Sequence, residues 1–164
     1  MTRKINIEST PITQGTAYPS PYDAPCLDRM RRRLGDAAKL TQFGVNLTRL
    51  APGTWSSQRH WHTVEDEFIY IVSGEAVLVT DAGEEVLRTG DCCGFKAGVR
   101  DGHHLQNRST EDVLVLEVGT RQPDEDEAFY PDIDLHAVKG RAGYFHRDGK
   151  PYPGRKPRNP ATDP

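Results

Sequence analysis

From Lys39 to Thr120 the apolar residues come in short runs, each closed within a few positions by Gly, Pro, Asp or Ser, and no segment repeats with the spacing of a helix face. That pattern predicts a sandwich or barrel of short strands. Thr41 to Leu50 reads as one strand, ended by Ala51-Pro52-Gly53, where Pro followed by Gly suits a tight turn. Trp55 to His62 is the next. A strand starting at Glu67 carries the run Phe68 to Val72, which reads as buried on both faces and closes at Ser73-Gly74-Glu75. Ala76 to Thr80, Glu85 to Leu87, Cys92 to Phe95, the alternation His103, Leu105, Asn107, and Asp112 to Gly119 complete an all-β unit over 40–120.

The flanks have a different texture. Residues 1–39 form an N-terminal arm in which Pro11, Pro19, Pro21 and Pro25 oppose both a long helix and a central strand, while Ile5, Ile7, Ile12, Tyr18 and Tyr22 give it something to dock with. Its basic run, Arg29 and Arg31 to Arg33, allows an anion or phosphate site, but the favoured reading is a solvated face paired with the acidic Asp124 to Glu127. Residues 121–164 are a C-terminal wrapping segment and tail: Phe129, Tyr130, Tyr144, Phe145 and Tyr152 are too many aromatics for a solvated tail, whereas the last dozen residues are expected to hold no regular structure.

A net charge of -3 with pI near 6.1 gives no global electrostatic case for nucleic acid. No apolar run approaches membrane-spanning length and the N-terminus has no hydrophobic signal core, so no membrane association and a cytoplasmic location are expected. Three cysteines, Cys26, Cys92 and Cys93, make no disulfide framework, and strand alternation sends the adjacent pair to opposite faces.

The chemistry concentrates in two clusters. In a strand, residues two apart share a face, so His60 and His62 project to one side with Ser56 and Gln58 while Trp61 points away; Glu67, after a polar turn, can return to the same point. Imidazoles and a carboxylate together suit a divalent transition metal: Mn, Fe, Ni, Co or Zn. Downstream, Gly98 to Asn107 offers His103 or His104, of which alternation admits only one; with Leu105 toward the core, parity turns His103 in and His104 out.

These residues resemble the cupin superfamily. Its first motif stands here as Gly53, His60, His62, Glu67 and Gly74, and its second as Gly90-Asp91, Lys96-Ala97-Gly98, His103 and Asn107. The resemblance implies a double-stranded β-helix, jelly-roll-like barrel, a homodimer, and His60, His62, Glu67 and His103 as metal ligands. The chain departs from the pattern in three places: one extra residue between Gly53 and His60, two between Gly98 and His103, and Lys96 in place of the usual Pro, which sets an amine near the barrel mouth. The finer texture resembles small bacterial one-domain cupins, some named as sugar-phosphate isomerases.

With four protein ligands, open metal positions could receive a small-molecule carbonyl or hydroxyl, which suits an isomerase of the sugar-phosphate type. Lys96, His104 and Glu65 are the neighbouring candidates for a base, with Lys96 first by position. Trp55 lines the pocket or belongs to the core. The alternatives are a non-haem iron dioxygenase and a non-catalytic small-molecule binding module.

Overall fold

The computed structural model describes residues 4–154. The arm supplies two strands, β1 (Ile12–Gln14) and β2 (Met30–Arg33), followed by one helical turn, α1 (Leu34–Ala37). The central unit contains β3 (Phe43–Leu50), β4 (Trp61–His62), β5 (Glu67–Ser73), β6 (Glu75–Thr80), β7 (Gly83–Arg88), β8 (Cys92–Phe95), β9 (His104–Gln106) and β10 (Val113–Thr120). The C-terminal segment adds β11 (Ala128–Tyr130) and β12 (Leu135–Ala137).

All pairing is antiparallel. One six-stranded sheet runs β1-β2-β3-β10-β5-β8; two three-stranded sheets run β7-β6-β9 and β12-β11-β4. The fold is all-β, as the short-strand texture predicts, and jelly-roll-like, as the resemblance implies. Between the sheets lies a core of Leu50, Ile69, Ile71, Leu78, Leu105, Val113 and Val115. Burying each such aliphatic chain contributes about 1.5–3 kcal/mol. The tight joint between β5 and β6 depends on Gly74, which sits at φ +85° with the Asp112 carbonyl only 2.6 Å from where a Cβ would lie.

Several sequence expectations need correction. The β5 run is buried on one face only: Ile69 and Ile71 point inward, while Phe68, Tyr70 and Val72 remain 38–42% exposed on the other face, where no element among the described residues covers them. The stretch from Trp55 to His62 is not one regular strand. Trp55 bridges to Gln106 and His60 to His103, so five steps on one side face three on the other, and the surplus residues bulge outward. Gln58 therefore leaves the inner face and donates to the Tyr22 carbonyl. Trp55 packs in a second aromatic core with Tyr18, Cys26, Tyr130 and Leu135.

The arm is more than a docked appendage, because β2 pairs along β3 from Met30↔Arg49 to Arg33↔Asn46 and β1 extends the same sheet. Nor is the basic run a solvated face paired with residues 124–127. Arg31 pairs with Glu117 at 2.8 Å, Arg32 with Glu8, and Arg29 is buried. Cys92 is exposed and Cys93 packs against the core, as alternation requires. The irregular structure expected of the last dozen residues falls almost entirely outside the described residues.

Candidate metal centre

His60 and His103 exchange backbone hydrogen bonds, His60 N–H to His103 O at 3.2 Å and His103 N–H to His60 O at 2.9 Å. Residues opposed in this way present their side chains on one face. His62 follows two residues later on β4, and Glu67 opens β5, whose register with β10 places it beside Gly119. A Cβ at Gly119 would stand 3.7 Å from Glu67 Cγ and 3.3 Å from the Asp66 carbonyl. Glu67 Oε2 is the hub of the cluster: the Nε2 atoms of His103, His60 and His62 stand at 2.9, 3.6 and 3.6 Å.

The outer ring nitrogens are all engaged by oxygen. His60 Nδ1 faces the Gln58 carbonyl at 2.9 Å, His62 Nδ1 faces Asp126 Oδ2 at 2.5 Å, and His103 Nδ1 lies 3.4 Å from the Asp101 carbonyl. At His60 and His62 the oxygen acceptor at Nδ1 draws the proton there, which leaves Nε2 with its lone pair toward Glu67, the tautomer a metal ligand needs, whereas His103 Nε2 donates to Glu67 Oε2 at 2.9 Å. Aromatic rings fix the planes. Phe95 stacks on His103 with centroids 3.6 Å apart, and Tyr130 stacks on His60 at 5.6 Å.

Electrostatics follow from crowding these groups together. Burial pushes His60 down to about 4, with the neighbouring His62 and His103 acting in the same sense against Glu67. Burial alone would raise Glu67, yet the hydrogen bond from His103 and the surrounding imidazoles outweigh it and hold the carboxyl well below its usual range. For His62 burial is likewise overcome, here by Asp126, and the ring's pKa is raised. Asp126 in turn is lowered against its own burial by His62 and by the N–H groups of Val64 and Glu65. Burial raises Glu65.

His60, His62 and Glu67 form a compact group whose ligand atoms lie within 4.8 Å of one another, and His103 Nε2 stands 2.9 Å from the same Glu67 oxygen. Three imidazole nitrogens and one carboxylate oxygen fit a borderline divalent cation. His104 is turned away: its ring packs on Trp55 at 4.7 Å, and its two nitrogens meet the Ser57 carbonyl and the Gln106 amide. Lys96 is exposed and borders a second pocket of about 220 Å³ that His62, Glu65, Glu67 and His103 also line. Glu65 and Ser56 line the main cavity, whose volume is about 420 Å³. Asn107 lies outside the donor set and is structural, its amide donating to the Leu50 and Glu111 carbonyls.

Sequence reasoning missed Asp126, Phe95 and Tyr130. The first sits in an acidic run after the last core strand, and nothing in the run marks which carboxylate returns to His62.

Residues 46–119 match the cupin domain model. A crystal structure of a sugar phosphate isomerase from a cupin superfamily, from Silicibacter pomeroyi, is 42% identical, with 92% of this chain and 97% of that one covered and a TM-score of 0.85. The chain belongs to the cupin superfamily. A second cupin neighbour, provisionally named as a sugar phosphate isomerase, comes from Acidithiobacillus ferrooxidans: 29% identity, 71% and 74% coverage, TM-score 0.66. A curated relative of this cupin, the probable oxalate decarboxylase of Arthroderma benhamiae, is 36% identical over 76 residues, which is 44% of the chain but only 19% of that protein's length. Among the described residues, no helix is long and apolar enough to cross a membrane.

Proposed function

We propose that this cupin is a divalent-metal-dependent isomerase acting on a small polar carbonyl compound of the sugar phosphate class. The observation that supports it best is the hub at Glu67, where one carboxylate oxygen faces three imidazole Nε2 atoms at the wall of a cavity sized for a small ligand. The name carried by the 42% identical Silicibacter protein supports the reaction class.

His60, His62, Glu67 and His103 would hold the metal; Mn, Fe, Ni, Co and Zn all suit that donor set. When bound, such an ion supplies Lewis acidity toward a carbonyl or hydroxyl oxygen. The chain's own part is to position the substrate and move a proton between adjacent carbons. Three acids line the cavity: Glu65, Glu67 and Glu117. Glu67 belongs to the donor set and Glu117 is held by Arg31, which leaves Glu65 as the group for the proton in preference to Lys96. His104 has both ring nitrogens engaged.

The test is anaerobic purification with elemental analysis, followed by a screen of aldose and ketose phosphates for interconversion by NMR. Metal retained by the wild type and lost from His62→Ala, together with interconversion that Glu65→Gln abolishes, is the expected result. Oxygen uptake with an iron-loaded protein would instead favour the dioxygenase alternative, and ligand binding without turnover the binding module.

A further inference from the structure

The arginines of the arm stand where the site's ligand has to lie. Alternation along β2 turns Arg32 outward, onto Glu8 and the Thr10 carbonyl, and turns Arg29, Arg31 and Arg33 into the cavity wall. Register carries the polar surface onward: Arg31 lies beside Thr48, Arg33 beside Asn46, and Asn46 beside Glu117. A barrel interior that only had to fold would be apolar here, since burying charge costs free energy unless each charge is paired.

These charges are incompletely paired. Arg29 is 8% exposed, and its terminal nitrogens donate to the carbonyls of Ser56 and Gly15 instead of a carboxylate. Its Nε is the one buried side-chain polar atom without a hydrogen-bond partner among the described residues. Arg31 spends Nη2 on Glu117 and Nε on Thr48. Among the described residues Arg33 has only Asp36, at 3.9 Å. Arg121, the fourth arginine on the cavity, is held by the same Asp36 at 2.5 Å, so that carboxylate is shared, and of the three glutamates that line the cavity Glu67 is already claimed by imidazoles.

We infer that Arg31 and Arg33, backed by the buried charge of Arg29, form an oxyanion subsite that takes the phosphate or carboxylate end of the ligand. Guanidinium groups suit both because their planar forks match the oxygens of either group. The inference rests on the proposed function only for what the ligand's other end does at the histidines.

Calorimetric titration with ribose 5-phosphate, ribose and pyruvate tests it, on metal-loaded and chelator-treated protein. Ribose 5-phosphate binding at least ten-fold tighter than ribose assigns a phosphate; pyruvate binding instead assigns a carboxylate. The preferred anion should weaken about ten-fold in Arg33→Gln and at least as much in the charge-neutral double variant Arg31→Gln/Glu117→Gln, with Arg108→Gln on the surface unchanged. Wild-type affinity in both wall variants overturns the inference, as does a wild type that binds neither anion. Anion affinity that vanishes with the metal and ignores the arginines also overturns it. A failed isomerase screen with these binding results intact would remove the reaction and leave the subsite.

Discussion

His60 and His103 face each other across an isolated antiparallel bridge with their ring centroids 5.2 Å apart, and that one pairing determines which downstream histidine meets Glu67. Shifting the register by one residue would bring His104 in and send His103 into Trp55. His103→Ala is therefore expected to lose most bound metal in elemental analysis while melting close to wild type. His104→Ala should keep its metal and melt lower, because it empties a buried slot beside Trp55. Equal metal loss in the two variants would contradict the register.

Asp126 ties the C-terminal segment to the donor set, since its Oδ2 holds His62 Nδ1 while Oδ1 takes the N–H groups of Val64 and Glu65. An outer carboxylate of this kind orients the ligand ring and raises its basicity. Asp126→Asn should lower metal affinity by about 10–100-fold, measured by competition with a chromophoric chelator. Unchanged affinity would reduce Asp126 to a turn-capping residue.

The parts of the molecule legible in the sequence are those governed by a two-residue period. His60 with His62, Ile69 with Ile71, and His103 with Leu105 all follow from alternation once strands are granted. What escaped is where the period breaks. The bulge between Trp55 and His60 reversed Gln58, and no local signal announces it, because its cause is the shorter partner segment from His103 to Gln106. The arginines were misjudged for another reason: a basic run is usually a solvated face, and only the pairing of β2 with β3 shows that three of these four side chains turn toward the cavity. Asp126 and Tyr130 belong to the same class, long-range arrivals whose partners lie far back in the chain.

The arm's place in the large sheet makes its removal costly. Deleting residues 1–38 takes away β1 and β2, exposes the β3 edge and removes Tyr18 and Cys26 from the second core. The truncated chain is expected to melt at least 10 °C lower or to aggregate, as followed by circular dichroism and light scattering, given that a loss of about 1 kcal/mol shifts Tm by roughly 2–4 °C in a domain of this size. A truncated chain with the wild-type midpoint would mean that β2 adds nothing to the barrel.

Arg59 clasps three partners beside the donor set: Asp132 through Nε at 2.7 Å and Nη2 at 2.6 Å, Asp81, and the Gly102 carbonyl. The hydrogen bonds from Arg59 hold Asp132 below the ordinary aspartate range. A carboxyl depressed in the folded state contributes stability above its unfolded pKa, about 4, and loses it as pH falls through the folded value. Asp132→Asn should then be less stable than wild type at pH 7, and the gap should close below about pH 4. Asp132 is about half exposed, although Arg59 is largely buried, so the difference at pH 7 is expected to be at most about 1 kcal/mol by urea unfolding. A gap that is constant with pH would place the effect elsewhere.

The outer face of the large sheet carries an apolar stripe. Phe68, Tyr70 and Val72 stand about 40% exposed along β5, and Leu116 and Val118 continue the apolar surface on β10, in register with Tyr70 and Phe68. Contiguous apolar surface of this kind marks an interface, and a sheet face meets a copy of itself most readily across a two-fold axis. We propose that two copies of the chain pack there as a homodimer. Tyr70→Asp/Val72→Asp places like charges opposite each other in such an interface without touching the inward-facing Ile69 and Ile71. The wild type should run at twice the chain mass by light scattering and the double variant at the chain mass, with metal retained in both. A wild type that is monomeric at tens of micromolar, or a double variant that stays dimeric, would show that this stripe is not where copies meet.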